Sequence, residues 1–398
     1  MSSPYKIPIL DLRAQYSGIR AEVRAAIDDV FESQQFILGS AVTRFERQML
    51  QYLGCAHAVG TASGSDALLL ALMALEIGPG DGVIVTPFTF FSTVSSITRL
   101  GGKVFFVDID LADYLLSATA VGGFLAERGR WKNGRIIDPT TGSHIKALLP
   151  VHLFGQCCAM AEFLCLAEKY SLRIVEDVAQ ACGARSTIGG EERFAGAIGD
   201  LGCFSFFPSK TLGGYGDGGL VTTGDQELAA KVKMLRMHGE SEKYRHRVTG
   251  INSRLDSVQA AVLGVKQPYL NQWCEQRIAR AQNYYRLFNQ NSLISGDRVI
   301  AIPPPRTDKT HVFNNYVIRA NRRDELKRFL ADRGVQCEVY YPVPLHLQEC
   351  FAGLGYKKGD FPAAELAATQ VLALPLYPEL TAEDQESIVS AIEEFFGA

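Results

Sequence analysis

Lys210 is the residue around which chemistry can be built. It closes the run Phe204-Ser205-Phe206-Phe207-Pro208-Ser209-Lys210 and opens onto Thr211-Leu212-Gly213-Gly214-Tyr215-Gly216-Asp217-Gly218-Gly219. An apolar strand broken at Pro208 leaves this lysine where desolvation disfavours the ammonium form. The neutral amine is a nucleophile able to form a Schiff base with a carbonyl compound. The glycines behind it let the backbone approach a ligand closely. The same residues also describe a solvated lysine in a surface turn, so the rest of the chain decides between the two.

Three other stretches bear on that choice. Ser63-Gly64-Ser65-Asp66 opens directly onto the apolar run 67–75, and small hydroxyl residues at a helix N-terminus suit a phosphate as well as an ordinary cap. Phe88-Thr89-Phe90-Phe91 packs three aromatics into one strand-to-helix turn; these are either core or a face on which a planar ring stacks. Asp177 ends the apolar run 172–177 and precedes Gln180, either as a cap or as a functional anchor. In this order the set supplies donors for a phosphate, a stacking face, a carboxylate for a ring nitrogen and a lysine for an aldehyde. A phosphorylated pyridine aldehyde needs each of them.

The elements that position these residues follow from the hydrophobic pattern. Amphipathic helices are expected over 19–32 and 41–53, then strands at 82–86, 103–108, 145–151, 172–177 and 219–223 alternating with helices. Such alternation implies a mostly parallel sheet covered on both faces, with ligands gathered beyond the strand carboxyl ends. Residues 127–144, rich in charge, glycine and proline, read as a surface excursion. A helix over 225–238 and a polar stretch at 240–248 precede a long helical region, broken near Pro268, that reaches about residue 288. Beyond it the pattern turns α+β, with strands at 311–319 and into 339–342 and helices at 323–333, 363–371 and 381–396. The expected division is a large domain over 1–255 and a smaller one over 256–398 with a bridging helix.

Composition narrows the class. The chain has 398 residues, 47% hydrophobic and 21% charged, with a net charge of −3 and no block of like charges. Nothing here suggests a nucleic-acid or membrane-surface partner. The first ten residues hold no apolar core of signal-peptide length, and the run 67–75 is too short to cross a bilayer. Nine cysteines at irregular spacings read as reduced thiols of a cytoplasmic protein.

Taken together, Ser63-Gly64-Ser65-Asp66-Ala67-Leu68, Glu176-Asp177-Val178-Ala179-Gln180-Ala181, the run 204–210, the run 250–261 and Tyr341-Pro342-Val343-Pro344-Leu345-His346 make the chain resemble the DegT/DnrJ/EryC1/StrS sugar aminotransferases. These are pyridoxal 5'-phosphate enzymes of the fold type I aspartate aminotransferase superfamily. The resemblance runs from about residue 9 to the C-terminus. It implies an α/β fold, a large domain with a mostly parallel mixed sheet flanked by helices and a smaller α+β C-terminal domain.

By the same resemblance, Lys210 is the Schiff-base lysine and proton shuttle, Asp177 the partner of the pyridinium nitrogen, and Gln180 the partner of the ring hydroxyl. Phe90 stacks on the ring, with Phe91 as its competitor in register. Gly64, Ser65 and Ser205 bind the phosphate, and Asn252 reaches it from the neighbouring subunit of a homodimer with shared active sites. Arg254, Tyr341 and His346 border the nucleotide-sugar entrance, near the segment 239–248.

Relatives that carry histidine in place of the lysine dehydrate their substrates; Lys210 favours amination. The implied reaction moves nitrogen from L-glutamate, or L-glutamine, to a keto group of a nucleotide-linked sugar. A 3-keto sugar comes first, with a 4-keto sugar or a keto-cyclitol as alternatives. A non-catalytic, cofactor-binding regulatory protein is the reading from another class. A nicotinamide dehydrogenase is disfavoured, because no first strand leads into Gly-x-Gly-x-x-Gly followed by an acidic residue.

Overall fold

The computed structural model describes residues 5–304 and 310–397. Helix α1 (Leu12–Ser33) begins earlier than its apolar periodicity predicts. Asp11 caps it, accepting from the N–H groups of Arg13 and Ala14, and the cap sets the start. Helix α2 (Ser40–Leu53) buries Val42, Phe45, Met49 and Leu53 at helical spacing. Strands and helices then alternate: β1 (His57–Thr61), α3 (Gly64–Ala74), β2 (Asp81–Val85), α4 (Phe91–Arg99), β3 (Lys103–Phe106) and α5 (Ala118–Arg128).

The surface excursion expected over 127–144 is instead a hairpin of β4 (Arg130–Lys132) and β5 (Arg135–Ile137). It joins the main sheet where Ile137 pairs with His144. The join holds because Ile136 and Asp138 are buried, and both oxygens of Asp138 accept from Arg128. Next come β6 (His144–Leu149), α6 (Met160–Tyr170), β7 (Arg173–Asp177) and a further hairpin, β8 (Arg185–Ile188) with β9 (Glu191–Phe194), which the hydrophobic pattern does not reveal.

Strands β10 (Leu201–Ser205) and β11 (Gly219–Thr223) flank the Lys210 loop. The sheet order is β1-β11-β10-β7-β6-β2-β3. Pairings from β10 through β3 are parallel, whereas β11 runs antiparallel to both β1 and β10. Val83, Ile84, Val85, Leu148, Leu149, Val175 and Leu201 are wholly buried, as in a sheet covered on both faces.

Helix α7 (Gln226–Leu235) leads to the small hairpin β12 (Glu240–Glu242) and β13 (Arg245–His246). Helix α8 (Ser257–Lys266) lies across α1 and α2, and α9 (Leu270–Gln290) follows after a short 3-10 turn at Pro268. A second sheet, β14 (Val299–Ala301), β15 (Tyr316–Ala320) and, later in the chain, Val371–Leu374, is antiparallel. Helices α10 (Arg323–Asp332), α11 (Pro362–Gln370) and α12 (Ala382–Phe396) complete the chain, with β16 (Val371–Leu374) between the last two. Tyr284, Phe288, Tyr316, Ile318, Leu326, Leu372 and Ile388 form a core of their own there.

Two expectations fail in this region. No strand forms over 339–342; the adjoining Glu338 makes a single bridge to Ala373. The helix predicted over 363–371 ends at Gln370, and the apolar residues after it become β16 instead.

Candidate active site

The carboxyl ends of β7 and β10 and the N-termini of α3 and α4 converge on one cavity. Ser63, Gly64, Ser65, Phe90, Asp177, Gln180, Ser205, Lys210 and Tyr341 all line it. Five lengths of chain distant in sequence therefore meet where an α/β sheet is expected to bind ligands.

Lys210 sits in a tight turn beyond β10. Its own N–H bonds to Phe207 O, and Gly214 N–H bonds to Phe206 O. Among the described residues no protein acceptor takes a bond from its Nζ, which is left to face the cavity. Burial holds the ammonium below its ordinary range, while Asp177 opposes the shift. Burial raises the Asp177 carboxyl above the usual carboxylate range. Thr93 Oγ1 donates to Asp177 Oδ2 at 2.8 Å and Ala179 N–H to Oδ1 at 3.1 Å, so both oxygens are oriented. Thr89 Oγ1 lies 3.0 Å from Thr93 Oγ1 and extends this chain.

The neighbouring Glu176 serves the opposite purpose. Side chains alternate along β7, and the Glu176 carboxylate is wholly buried. It accepts from the N–H groups of Gly196, Ile198 and Gly199 and pairs with His152 Nε2 at 2.9 Å. His152 Nδ1 accepts from Cys158 N–H, so Nε2 carries the proton given to Glu176. This network anchors the end of β7 from behind and leaves Asp177 as the acid facing the cavity.

At the other end lies the expected anion cradle. Ser63 Oγ accepts from Asp66 N–H and caps α3, while the N–H groups of Gly64 and Ser65 in its first turn bond to no protein acceptor among the described residues. Cap and cradle coexist. Ser65 Oγ and Ser92 Oγ are 2.5 Å apart, joining the first turns of α3 and α4. A Cβ on Gly64 would come within 2.5 Å of Ser205 Cβ, so only glycine lets the cradle close against β10. Free N–H groups, hydroxyls and two helix N-termini suit a phosphate.

Between cradle and carboxylate the walls are aromatic. Phe90 is 56% exposed and lines the cavity, whereas Phe91 stacks on Phe351 at 5.3 Å, outside the lining. Of the two candidates, Phe90 is the one that lines the cavity. Gln180 accepts from Phe154 N–H and donates to Tyr341 Oη at 3.1 Å, so its amide is held in place.

Three predicted residues are not in this wall. His346 is buried, pairs with Glu365 through Nε2 at 3.0 Å and packs on Phe361. It is a core histidine, not an entrance residue, because Leu345 N–H bonds to Pro87 O and draws the loop inward. Asn252 is exposed and bridges to Met237. Arg254 lines a separate shallow cleft that shares Ser63 and Asp217 with the cavity. Conversely, Thr93, Ser92, Tyr340, Arg277, Asn314 and Asn315 line the cavity without having been foreseen. Thr93 had a faint signal, standing one helical turn from Thr89. Asn314 and Asn315 arrive from the loop that leads into β15 with none.

The arrangement can bond an aldehyde at Lys210, hold a cation against Asp177 and seat a phosphate on Gly64 and Ser65. The profile of the DegT/DnrJ/EryC1/StrS aminotransferase family matches residues 17–393. A protein of Geobacillus stearothermophilus named "Pleiotropic regulatory protein" is 43% identical over 98% of this chain and 98% of its own length. The UDP-N-acetyl-3-dehydro-alpha-D-glucosamine 3-aminotransferase of Acidithiobacillus ferrooxidans is 41% identical, again over 98% of each chain. A solved structure of NtdA from Bacillus subtilis with bound cofactor PMP superposes with a TM-score of 0.85 at 27% identity, covering 100% of this chain and 86% of that one.

Proposed function

Because the chain belongs to the DegT/DnrJ/EryC1/StrS aminotransferase family, we propose that it uses pyridoxal 5'-phosphate to move an amino group from L-glutamate, or L-glutamine, onto a keto carbon of a nucleotide-linked sugar. The observation that carries this reading is Lys210 and Asp177 facing one cavity, the amine biased toward its neutral form and the carboxyl held by two donors. A 3-keto sugar is the preferred acceptor, in keeping with the Acidithiobacillus relative. The nine cysteines form no disulfide with one another. Among the described residues no helix is long and apolar enough to cross a membrane.

Bound here, the cofactor supplies an electron sink for the carbon that loses its proton. The protein's own residues do the rest. Gly64, Ser65 and Ser205 would hold the phosphate, Phe90 would pack on the ring and Gln180 would meet its hydroxyl. Asp177, ionised beside a cation, keeps the ring nitrogen protonated. Lys210 Nζ would bond the aldehyde with loss of water and, once freed as an amine by exchange with the substrate's nitrogen, would hold and move the proton at the substrate carbon. Tyr341 and Arg254 border the approach of the sugar nucleotide.

Asn252 belongs to this reading as a contact made across a homodimer, since it is exposed and outside its own cavity. Asn252→Ala is expected to weaken cofactor affinity about tenfold, the worth of one hydrogen bond to a charged group, with the melting temperature unchanged. Affinity and activity equal to wild type would remove the shared site.

The Geobacillus name supports a second reading, a regulatory protein that binds the cofactor without turning it over. The visible spectrum separates the two. With pyridoxal phosphate added, a lysine-bound band that is consumed by L-glutamate and restored by a keto sugar nucleotide is the expected result. A band that ignores every amino donor favours the regulatory protein, and no band at all overturns both.

A further inference from the structure

A second lysine is less exposed to solvent than Lys210. Lys266, at the end of α8, is 1% exposed. Its Nζ donates to Gly213 O at 2.5 Å and lies 5.0 Å from the centre of the Tyr215 ring and 5.8 Å from that of Trp273. Among the described residues no carboxylate forms an ion pair with it; Glu379 acts on its charge from farther away. An ammonium taken out of water without a counter-ion is costly to keep. A methionine of similar length would fill the same space without that cost.

What the ammonium holds is the loop that carries the reactive lysine. Gly213 follows Lys210 by three positions and is packed so closely that a Cβ there would lie 2.3 Å from Pro208 O. The turn is closed by Lys210 N–H on Phe207 O and Gly214 N–H on Phe206 O, so force on the Gly213 carbonyl is passed to the whole of it. Gln259, two helical turns earlier on α8, accepts from Tyr215 N–H at 2.8 Å. One face of α8 thus grips the loop at a carbonyl and at an N–H two residues on. We propose that Lys266 is a positioning residue, its ammonium gripping the Gly213 carbonyl so that the turn aims the Lys210 amine into the cavity. The role rests on the reading of Lys210 as the reactive amine.

Protonation governs the grip. Burial brings the Lys266 ammonium down to about 8, against a weak opposing pull from Glu379. The groups around it are Tyr215 from the loop, with Tyr16 of α1 edge-on to it, and Trp273 of α9, on which Tyr269 stacks. Tyr269 in turn donates to Glu22 at 2.7 Å. As pH rises through about 8, the charge-assisted bond and both cation–π contacts fade. The fold itself moves the other way: a lysine whose folded pKa lies below its unfolded value makes the protein more stable as pH rises between the two.

That opposition gives the test. In Lys266→Met, amide exchange across 211–215 at about pH 7 is expected to quicken roughly tenfold, while the melting temperature stays at or above wild type. A purely structural lysine would lower the melting temperature and leave local exchange tied to it. In a Trp131→Phe background the Trp273 emission should show a transition near pH 8, lost in Lys266→Met. Should that variant not fold, wild-type exchange at 211–215, corrected for intrinsic rates, should quicken between about pH 7 and about pH 9, around the Lys266 transition. Wild-type exchange in Lys266→Met, or no change with pH in the wild type, overturns the positioning role even where the lysine-bound cofactor band forms normally. A wild-type protein that never forms the band overturns the reading of Lys210, and the positioning role with it.

Discussion

Lys210→Ala is expected to leave a folded protein with no lysine-bound cofactor band and aminotransfer reduced by about 10²–10⁴-fold or more, the range for losing a positioned acid–base group. The loss should appear in kcat, because proton movement in the transition state is what the amine provides. The fold should survive. Nζ makes no bond to the protein among the described residues, and burial already penalises its charge. Circular dichroism and thermal melting test that half, and single-turnover kinetics with L-glutamate the other. A variant that retains transfer within about tenfold of wild type would take the reaction away from Lys210.

Asp177→Asn is expected to weaken cofactor binding and to lower turnover together, by about 10²–10³-fold in kcat, as for removal of one preorganised electrostatic partner. The substitution keeps the shape of the site. The Asn oxygen can accept from Ala179 N–H and its amide can donate to Thr93, so the two observed contacts persist. Only the charge is removed.

The pH dependence carries the sign. With the cavity free of a cation, burial raises the Asp177 carboxyl, so its contribution to stability is present below the unfolded pKa and lost as pH rises through the folded one. A cation bound opposite reverses that preference. Cofactor affinity should therefore fall as pH drops and Asp177 takes up a proton. In Asp177→Asn that acidic limb should vanish, leaving weak binding at every pH, as titration by absorbance would record. An unchanged acidic limb in the variant would assign it to another group.

Much of the site was legible because its parts end regular elements. Lys210 follows a buried strand broken by Pro208, Ser63-Gly64-Ser65 opens an apolar helix, and Asp177 closes an apolar strand. Each leaves a local pattern. The strand–helix alternation likewise predicted the parallel core from β10 to β3. What escaped depends on packing between distant segments. Asn314 and Asn315 enter the cavity from the loop before the second sheet's β15, and Arg277 enters from α9, where it bonds to Phe313 O and Leu376 O.

His346 was misjudged for a related reason. The prolines around it resemble an exposed loop, but a partner on Glu365 and a bond from Leu345 to Pro87 draw it into the core. The antiparallel place of β11 between β1 and β10 was hidden too, since no short turn links β10 to β11. The long Lys210 loop occupies that gap.

The place of β11 also sets the order in which the molecule can be built. His57 of β1 lies opposite Thr223 of β11, so the strand that precedes the phosphate cradle has no partner until the chain has grown past residue 223. Until then β10 also shows a bare edge on the side where β11 will pair, open to wrong neighbours. Closing so long a loop before any contact rewards it is slow. During synthesis, Asp177 and Lys210 both emerge before the wall is complete, because Arg277, Asn314, Tyr341 and Leu376 join it later. The cavity is therefore complete only once the chain has grown past residue 376.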